Sequence, residues 1–215
     1  MRNLTAAAFV AVFAGTASAD IIADWAAAPN GASIAATNVI ANVSGISLTR
    51  GAGLAQATGG TFNSNGWDGP VDLAGAIAAN HYLEFGVTVA PGFSLNLSDV
   101  EIRYDRSSTG PSLASILLST DGTFGAGNTI FSDASVNEAG EDNFFAAVNN
   151  GLTGNVVFRL YAWGATGSTG TFDIETIDFA NGGTYGIRLN GTVVPAPASA
   201  ALMGLGGLLA ARRRR

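Results

Sequence analysis

The chain has no cysteine among its 215 residues, no lysine, and a single histidine, His81. The first absence rules out disulfides, thiolate metal centres and thiol nucleophiles. One imidazole excludes a multi-histidine zinc site and a histidine relay, and His81 stands directly ahead of a strand-like run, a natural place for an edge residue. No serine lies in a G-x-S-x-G setting, so the motif for an activated hydroxyl is missing as well. Charged residues make up only 12% of the chain. Glycine is plentiful, at 29 residues, too irregular for collagen yet high for a helical protein.

The charges that exist are unevenly placed. All sixteen carboxylates fall between Asp20 and Val193, against five arginines, leaving that body at about −11 although the whole chain is −6. Such a field repels phosphate backbones, so nucleic acid is not an expected partner. The N-terminus, MRNLTAAAFVAVFAGTASAD, offers a positive start at Arg2, an uncharged run, and small residues Ala17-Ser18-Ala19 ahead of Asp20. This is the pattern of a signal peptide, with a helical apolar region and cleavage after Ala19. The C-terminus, VVPAPASAALMGLGGLLAARRRR, joins a proline pair to an uncharged block and four arginines. Residues 198–211 would rise about 21 Å as a helix, short of the roughly 20 residues of a stable span. Guanidinium groups resist crossing a bilayer, which suits transient membrane residence with the body outside.

This tail resembles the PEP-CTERM sorting signal of exported bacterial proteins. Val194, Pro195, Ala196, Pro197 and Ala198 stand where the family has its proline motif, in a VPxPA-like variant with Ala196 in place of the name-giving glutamate. Leu202 to Ala211 match the short hydrophobic helix, and Arg212, Arg213, Arg214 and Arg215 the terminal cluster. The resemblance implies three segments: a signal peptide at 1–19, an extracellular domain at 20–193 and a sorting signal with a short transmembrane helix at 194–215. Signal peptidase and an exosortase are the implied processing partners, with an inner-membrane intermediate on the way to the cell surface or biofilm matrix and an exopolysaccharide or other matrix component as a further partner.

Within the body, period-2 segments recur and no amphipathic helix of ordinary length is found. YLEFGVTV places Leu83, Phe85, Val87 and Val89 on one face; VVFRLYAW places Val156, Phe158, Leu160 and Ala162 together, with Arg159, Tyr161 and Trp163 on a second packing or binding face. FSLNLSDVEIRYDR holds two alternating runs that change phase at Ser98-Asp99, a turn or bulge. TFDIETIDF opposes Phe172 and Ile174 to Asp173 and Glu175, and GIRLNGTVV opposes Ile187 and Leu189 to Arg188 and Asn190. Short strands and glycine-rich separators predict an all-β fold, an antiparallel β-sandwich of jelly-roll type, flanked by the signal and sorting helices. Residues 82–122 further resemble a segment of uncharacterised PEP-CTERM proteins through Tyr82 and Phe85, Pro91-Gly92, Arg106-Ser107, Gly110-Pro111 and Asp121-Gly122. That resemblance implies an extracellular β-sandwich and carries no catalytic residue with it.

Candidate chemistry is sparse. Asp99 with Glu101, and Asp173 with Glu175, share strand parity and read as polar faces of exposed strands; glycosidase work would need two such groups converging on a cleft. The chain is accordingly read as a non-enzyme that requires no cofactor. Calcium is the metal its donors suit, since it takes hard oxygens without histidine or cysteine: Asp68 and Asp72 flank Gly69-Pro70, and Asp121 and Asn128 bracket another glycine-rich loop. Trp67, in NSNGWDG, and Trp163, at a strand end, are the rings that would stack on a sugar if the domain binds carbohydrate.

Overall fold

A computed structural model of the protein describes residues 19–139, 141–178 and 184–196. In chain order the strands are β1 (Asp20–Trp25), β2 (Ser33–Ile34), β3 (Ala36–Thr37), β4 (Val43–Arg50), β5 (Ala55–Gln56), β6 (Phe62–Asn65), β7 (Tyr82–Val89), β8 (Phe93–Arg106), β9 (Leu113–Ser119), β10 (Thr129–Asp133), β11 (Glu141–Leu152), β12 (Gly154–Trp163), β13 (Phe172–Ile174), β14 (Ile177–Asp178), β15 (Thr184–Tyr185) and β16 (Ile187–Pro195). One α-helix, α1 (Leu73–Ala79), separates β6 from β7.

The strands form an eight-stranded sheet ordered β3-β1-β16-β8-β13-β6-β5, with β11 also on β8, and a six-stranded sheet ordered β10-β9-β12-β7-β4-β2. A small β14-β15 pair completes the set. All the pairings between these strands are antiparallel. Alternation accounts for the core between the two large sheets: Leu83, Phe85, Val87 and Val89 of β7, and Val156, Phe158, Leu160 and Ala162 of β12, are all buried. Phe85 stacks on Phe158 at 5.2 Å and meets Trp25 edge-on at 5.4 Å. Burying each such ring is worth about 1.5–3 kcal/mol.

The phase change in β8 is a bulge. Asn190 pairs with Asp99 and Gly191 with Leu97, leaving Ser98 unmatched, so Leu95 and Leu97 before it and Val100, Ile102 and Tyr104 after it all reach the core. The break before β8 is the Pro91-Gly92 turn, where Gly92 adopts φ +85° and the Phe93 N–H donates to the Ala90 carbonyl at 3.1 Å.

Two parts of the expected architecture are corrected. Eight and six strands in this order are not the eight-stranded double sheet of a jelly roll. The helical flanks and the transmembrane-helix reading also fail: among the described residues no helix is long and apolar enough to cross a membrane. The α-helix that is described has seven residues and sits inside the body. Residues 1–18 and 197–215, where the signal and sorting helices were expected, lie outside the described residues.

Helix α1 went unforeseen because LAGAIAA is too short for a readable period. Asp72 caps it, accepting the Gly75 N–H at 2.7 Å, and Asn80 ends it in the left-handed region. Its Ala76 packs with Leu117 and Tyr161 on the outer face of the six-stranded sheet, with Leu73, Ile77, Tyr82, Phe124 and Trp163 around them. The second face of β12 is thus a packing surface.

Candidate metal centre

On the outer face of the eight-stranded sheet, β8 and β13 bring three carboxylates together. Asp105 and Asp173 are direct cross-strand partners, and Glu175 follows two residues after Asp173, its N–H donating to the Arg103 carbonyl at 2.9 Å. One oxygen from each of Asp105, Asp173 and Glu175 lies within 4.8 Å of the others. Thr61, just ahead of β6, donates its hydroxyl to Asp173 Oδ2 at 2.6 Å and to Glu175 Oε1 at 3.5 Å.

Like charges facing each other across a sheet are destabilising, and the electrostatics record it. Burial, then the Asp105 carboxyl, push Asp173 up to about 6. Burial raises Asp105 too, with Glu175 adding to it and the hydrogen bond with Asp173 and the Arg103 charge opposing it; burial and then Asp173 raise Glu175, again against Arg103. Without a cation, Asp173 takes up a proton as the pH falls through about 6, well above the ordinary carboxylate range. With one, three hard oxygens at this spacing match the span of calcium ligands placed about 2.3–2.6 Å from the ion. The cluster can coordinate a divalent cation.

The sequence pointed to Asp173 and Glu175 as an exposed pair. Asp173 is instead only 9% exposed. Asp105 was missed as their companion, because nothing local announces that β8 will pair with β13. The nominated calcium ligands have other tasks. Asp72 is the α1 cap; Asp121 accepts the Thr123 N–H at 2.8 Å and the Ser119 hydroxyl at 3.0 Å; Asn128 accepts the Gly125 N–H at 3.0 Å; Asp68 is exposed in the loop before α1. Among the described residues, the grouping of ligands close enough to share an ion includes none of these four.

Trp67 is fully buried, its indole N–H donating to the Ser64 carbonyl at 2.9 Å, and presents no ring face to a sugar. Trp163 is half-buried against the α1 cluster. Nearby, the Arg159 guanidinium lies 4.0 Å from the Tyr82 ring and 4.2 Å from the Phe124 ring, and pairs with Glu84 at 2.7 Å. His81 is buried beside Trp67, and burial lowers its pKa.

Elsewhere on the same outer face a polar network ties the first strand to the last. Arg188 donates Nε to Asp24 Oδ1 at 2.6 Å and Nη2 to Asp24 Oδ2 at 3.1 Å. Asn38 donates to the same carboxylate at 2.8 Å. The guanidinium lies 3.6 Å from the Tyr185 ring, whose hydroxyl donates to Glu101; Asn190 then bridges Glu101 and Asp99. Burial and the Glu101 carboxylate hold the Tyr185 phenol protonated, far above its ordinary range.

Of the proline motif, Val194 and Pro195 end β16, in register with Ser94 and Phe93, and the Ala196 N–H donates to the Gly92 carbonyl at 2.9 Å. Pro197, Ala198 and Arg212 to Arg215 lie outside the described residues. No protein-family model matches the chain, and no match is found to a curated protein or to a solved structure.

Proposed function

We propose that the two-sheet body is an exported cell-surface or extracellular-matrix protein, structural or exopolysaccharide-associated, trimmed by signal peptidase after Ala19 and by an exosortase-type enzyme at the Val194–Ala198 motif. The observation that supports this reading is where the sheet begins and stops. The first strand opens at Asp20, the residue after the expected cleavage point, and the last ends at Pro195, inside the motif. Asp20 pairs with Gly191, four residues before β16 ends at Pro195, so the start of the first strand and the end of the last lie at the same end of the sheet.

Intact mass measurement on the protein secreted by its native cell tests this. The expected product starts at Asp20 and lacks the four terminal arginines; an exported product still carrying Arg212–Arg215 overturns the processing scheme.

We infer further that the Asp105–Asp173–Glu175 centre takes structural calcium, because its donors are all oxygen and its three carboxyls are held apart from protons only at a cost. The sign follows from the raised pKa. A carboxyl protonated more readily in the folded state than in the unfolded one stabilises the fold at low pH, and that contribution is lost as pH rises through about 6. In EDTA, the stability of the wild type relative to Asp173→Asn should therefore fall by roughly 1–3 kcal/mol between pH 5 and pH 8. Millimolar calcium should restore it at pH 8, do little at pH 5, and leave Asp173→Asn unmoved. Equal calcium responses in the two proteins would place any cation elsewhere.

A further inference from the structure

Three stretches of chain meet at His81. It follows Asn80, the left-handed end of α1, and precedes β7, and its backbone N–H donates to the Ala76 carbonyl at 3.0 Å. The corner between β4 and β5 is pressed against this junction: the Gly51 N–H donates to the Tyr82 carbonyl at 2.8 Å and the Gly53 N–H to the Asn80 carbonyl at 3.3 Å. A Cβ on Gly53 would stand 2.5 Å from the Cδ2 carbon of the His81 ring. The chain leaving β6 supplies the third contact, with the Trp67 ring edge-on to the imidazole at 6.2 Å.

This enclosure suits a neutral ring and not a charged one. His81 is 6% exposed, and among the described residues its Nδ1 is buried without a hydrogen-bond partner. A neutral imidazole can leave that nitrogen bare, whereas an imidazolium carries a proton on both nitrogens, and Nδ1 would then be a charged donor with nothing to receive it. The surroundings offer little compensation. Neither the corner GAGL at 51–54 nor the helix LAGAIAA contains a charged side chain, and Asp72 is engaged at the opposite end of α1. Arg50, just before the corner, donates to Ser64, Gly31, Asn30 and Asn63. On β7, the Tyr82 ring and the Glu84 carboxylate are taken up with Arg159. Asp68 is the carboxylate whose charge reaches the ring and favours the imidazolium; burial outweighs it and the Trp67 backbone, and holds His81 below its ordinary pKa.

We propose that His81 is an acid-operated latch on the connection between the two large sheets, residues Gly66 to Asn80, and that its protonation releases Trp67 and α1 while the sheets stay paired. The topology allows such a partial opening. Between Asn65, which ends β6, and Tyr82, which begins β7, no residue belongs to a strand, so the connection can swing away without breaking a ladder. Once it does, the imidazolium reaches water. The sign is that of a depressed base: the contribution of His81 to closure is complete above its unfolded value of about 6.5 and is lost as the pH falls from there through the lower folded value. Asp173 titrates in the same window with the opposite effect on stability, so a melting temperature mixes the two and the readout has to be local. None of this depends on how the chain is exported, trimmed or loaded with metal.

Backbone hydrogen exchange on the full chain, corrected for the intrinsic rate at each pH, supplies that readout. Between pH 7.5 and pH 5 the protection of the Ala76, Asn80 and His81 amides, all hydrogen-bonded in the closed connection, should fall about five- to thirtyfold, the upper figure being the limit for a base whose unfolded value is about 6.5. Amides of Leu83 to Val87 in β7 and of Phe158 to Ala162 in β12 should hold within about threefold. His81→Phe, a ring that cannot titrate, should abolish the difference between the two pH values; if that variant fails to fold, His81→Gln is read in its place. Wild-type protection unchanged at pH 5, a fall shared equally by β7 and β12, or a pH-dependent fall that persists in the variant overturns the proposal.

Discussion

Replacing Arg188 by alanine is expected to lower the unfolding free energy by about 3–5 kcal/mol, the range seen when one partner of a buried ion pair is removed. The reason lies in what remains. Asp24 is 2% exposed and, among the described residues, would be left with the Asn38 amide at 2.8 Å to answer a full negative charge. The Tyr185 ring would lose the guanidinium lying 3.6 Å from it. Domains of this size are commonly stable by only 5–15 kcal/mol, so the variant should sit near the edge of folding, with a urea midpoint far below that of the wild type at similar slope. The double variant Asp24→Asn/Arg188→Met should recover most of the loss, since a neutral pair in the same space has no charge to solvate. A loss below about 1 kcal/mol for Arg188→Ala would mean that water reaches the pair and that it behaves as a surface contact.

That pair also marks the limit of what sequence patterning could deliver. The alternation in GIRLNGTVV puts Arg188 away from the core, and it is away from the core; the same alternation says nothing of whether that outer face is bare or covered. Here Tyr185 lies over it, and Arg188, on the face opposite Ile187 and Leu189, is only 6% exposed. The reasoning that worked was local: β7, β12 and the two phases of β8 have the faces their alternating residues require, and Pro91-Gly92 turns where it should. What failed was non-local. The pairing of β8 with β13 makes the acidic centre, and the pairing of β1 with β16 makes the Asp24–Arg188 contact. Neither follows from any window of sequence, because strand order is set by how the whole apolar surface is shared between two sheets. Helix α1 fell between the two cases: its cap residue Asp72 was visible, but as a metal ligand and not as a cap.

Trp67→Ala should cost a comparable 3–5 kcal/mol, the usual range for emptying a buried tryptophan site. A sequence reader sees a tryptophan in a polar glycine-rich loop and expects a surface ring. The loop instead turns the ring inward. Gly66 adopts φ +90°, and a Cβ there would stand 3.0 Å from the Gly53 carbonyl oxygen, so glycine is what lets the chain pass close enough to drop the next residue into the core. Once there, the indole meets Phe172 at 5.4 Å and His81 at 6.2 Å and satisfies the Ser64 carbonyl. Truncation therefore opens a cavity and also frees a buried acceptor. The melting temperature should drop by roughly 6–20 °C. Trp163→Ala, from a half-buried position, should cost distinctly less, about 1–2 kcal/mol. The comparison separates two kinds of tryptophan that look alike in the sequence: a ring that is half-exposed can be lost cheaply and remains available to a partner, whereas a ring sealed by Phe172 and His81 contributes to the fold and to nothing outside it. Should the two variants melt together, the distinction drawn from burial would be wrong, and the loop at Gly66 would have to open in solution.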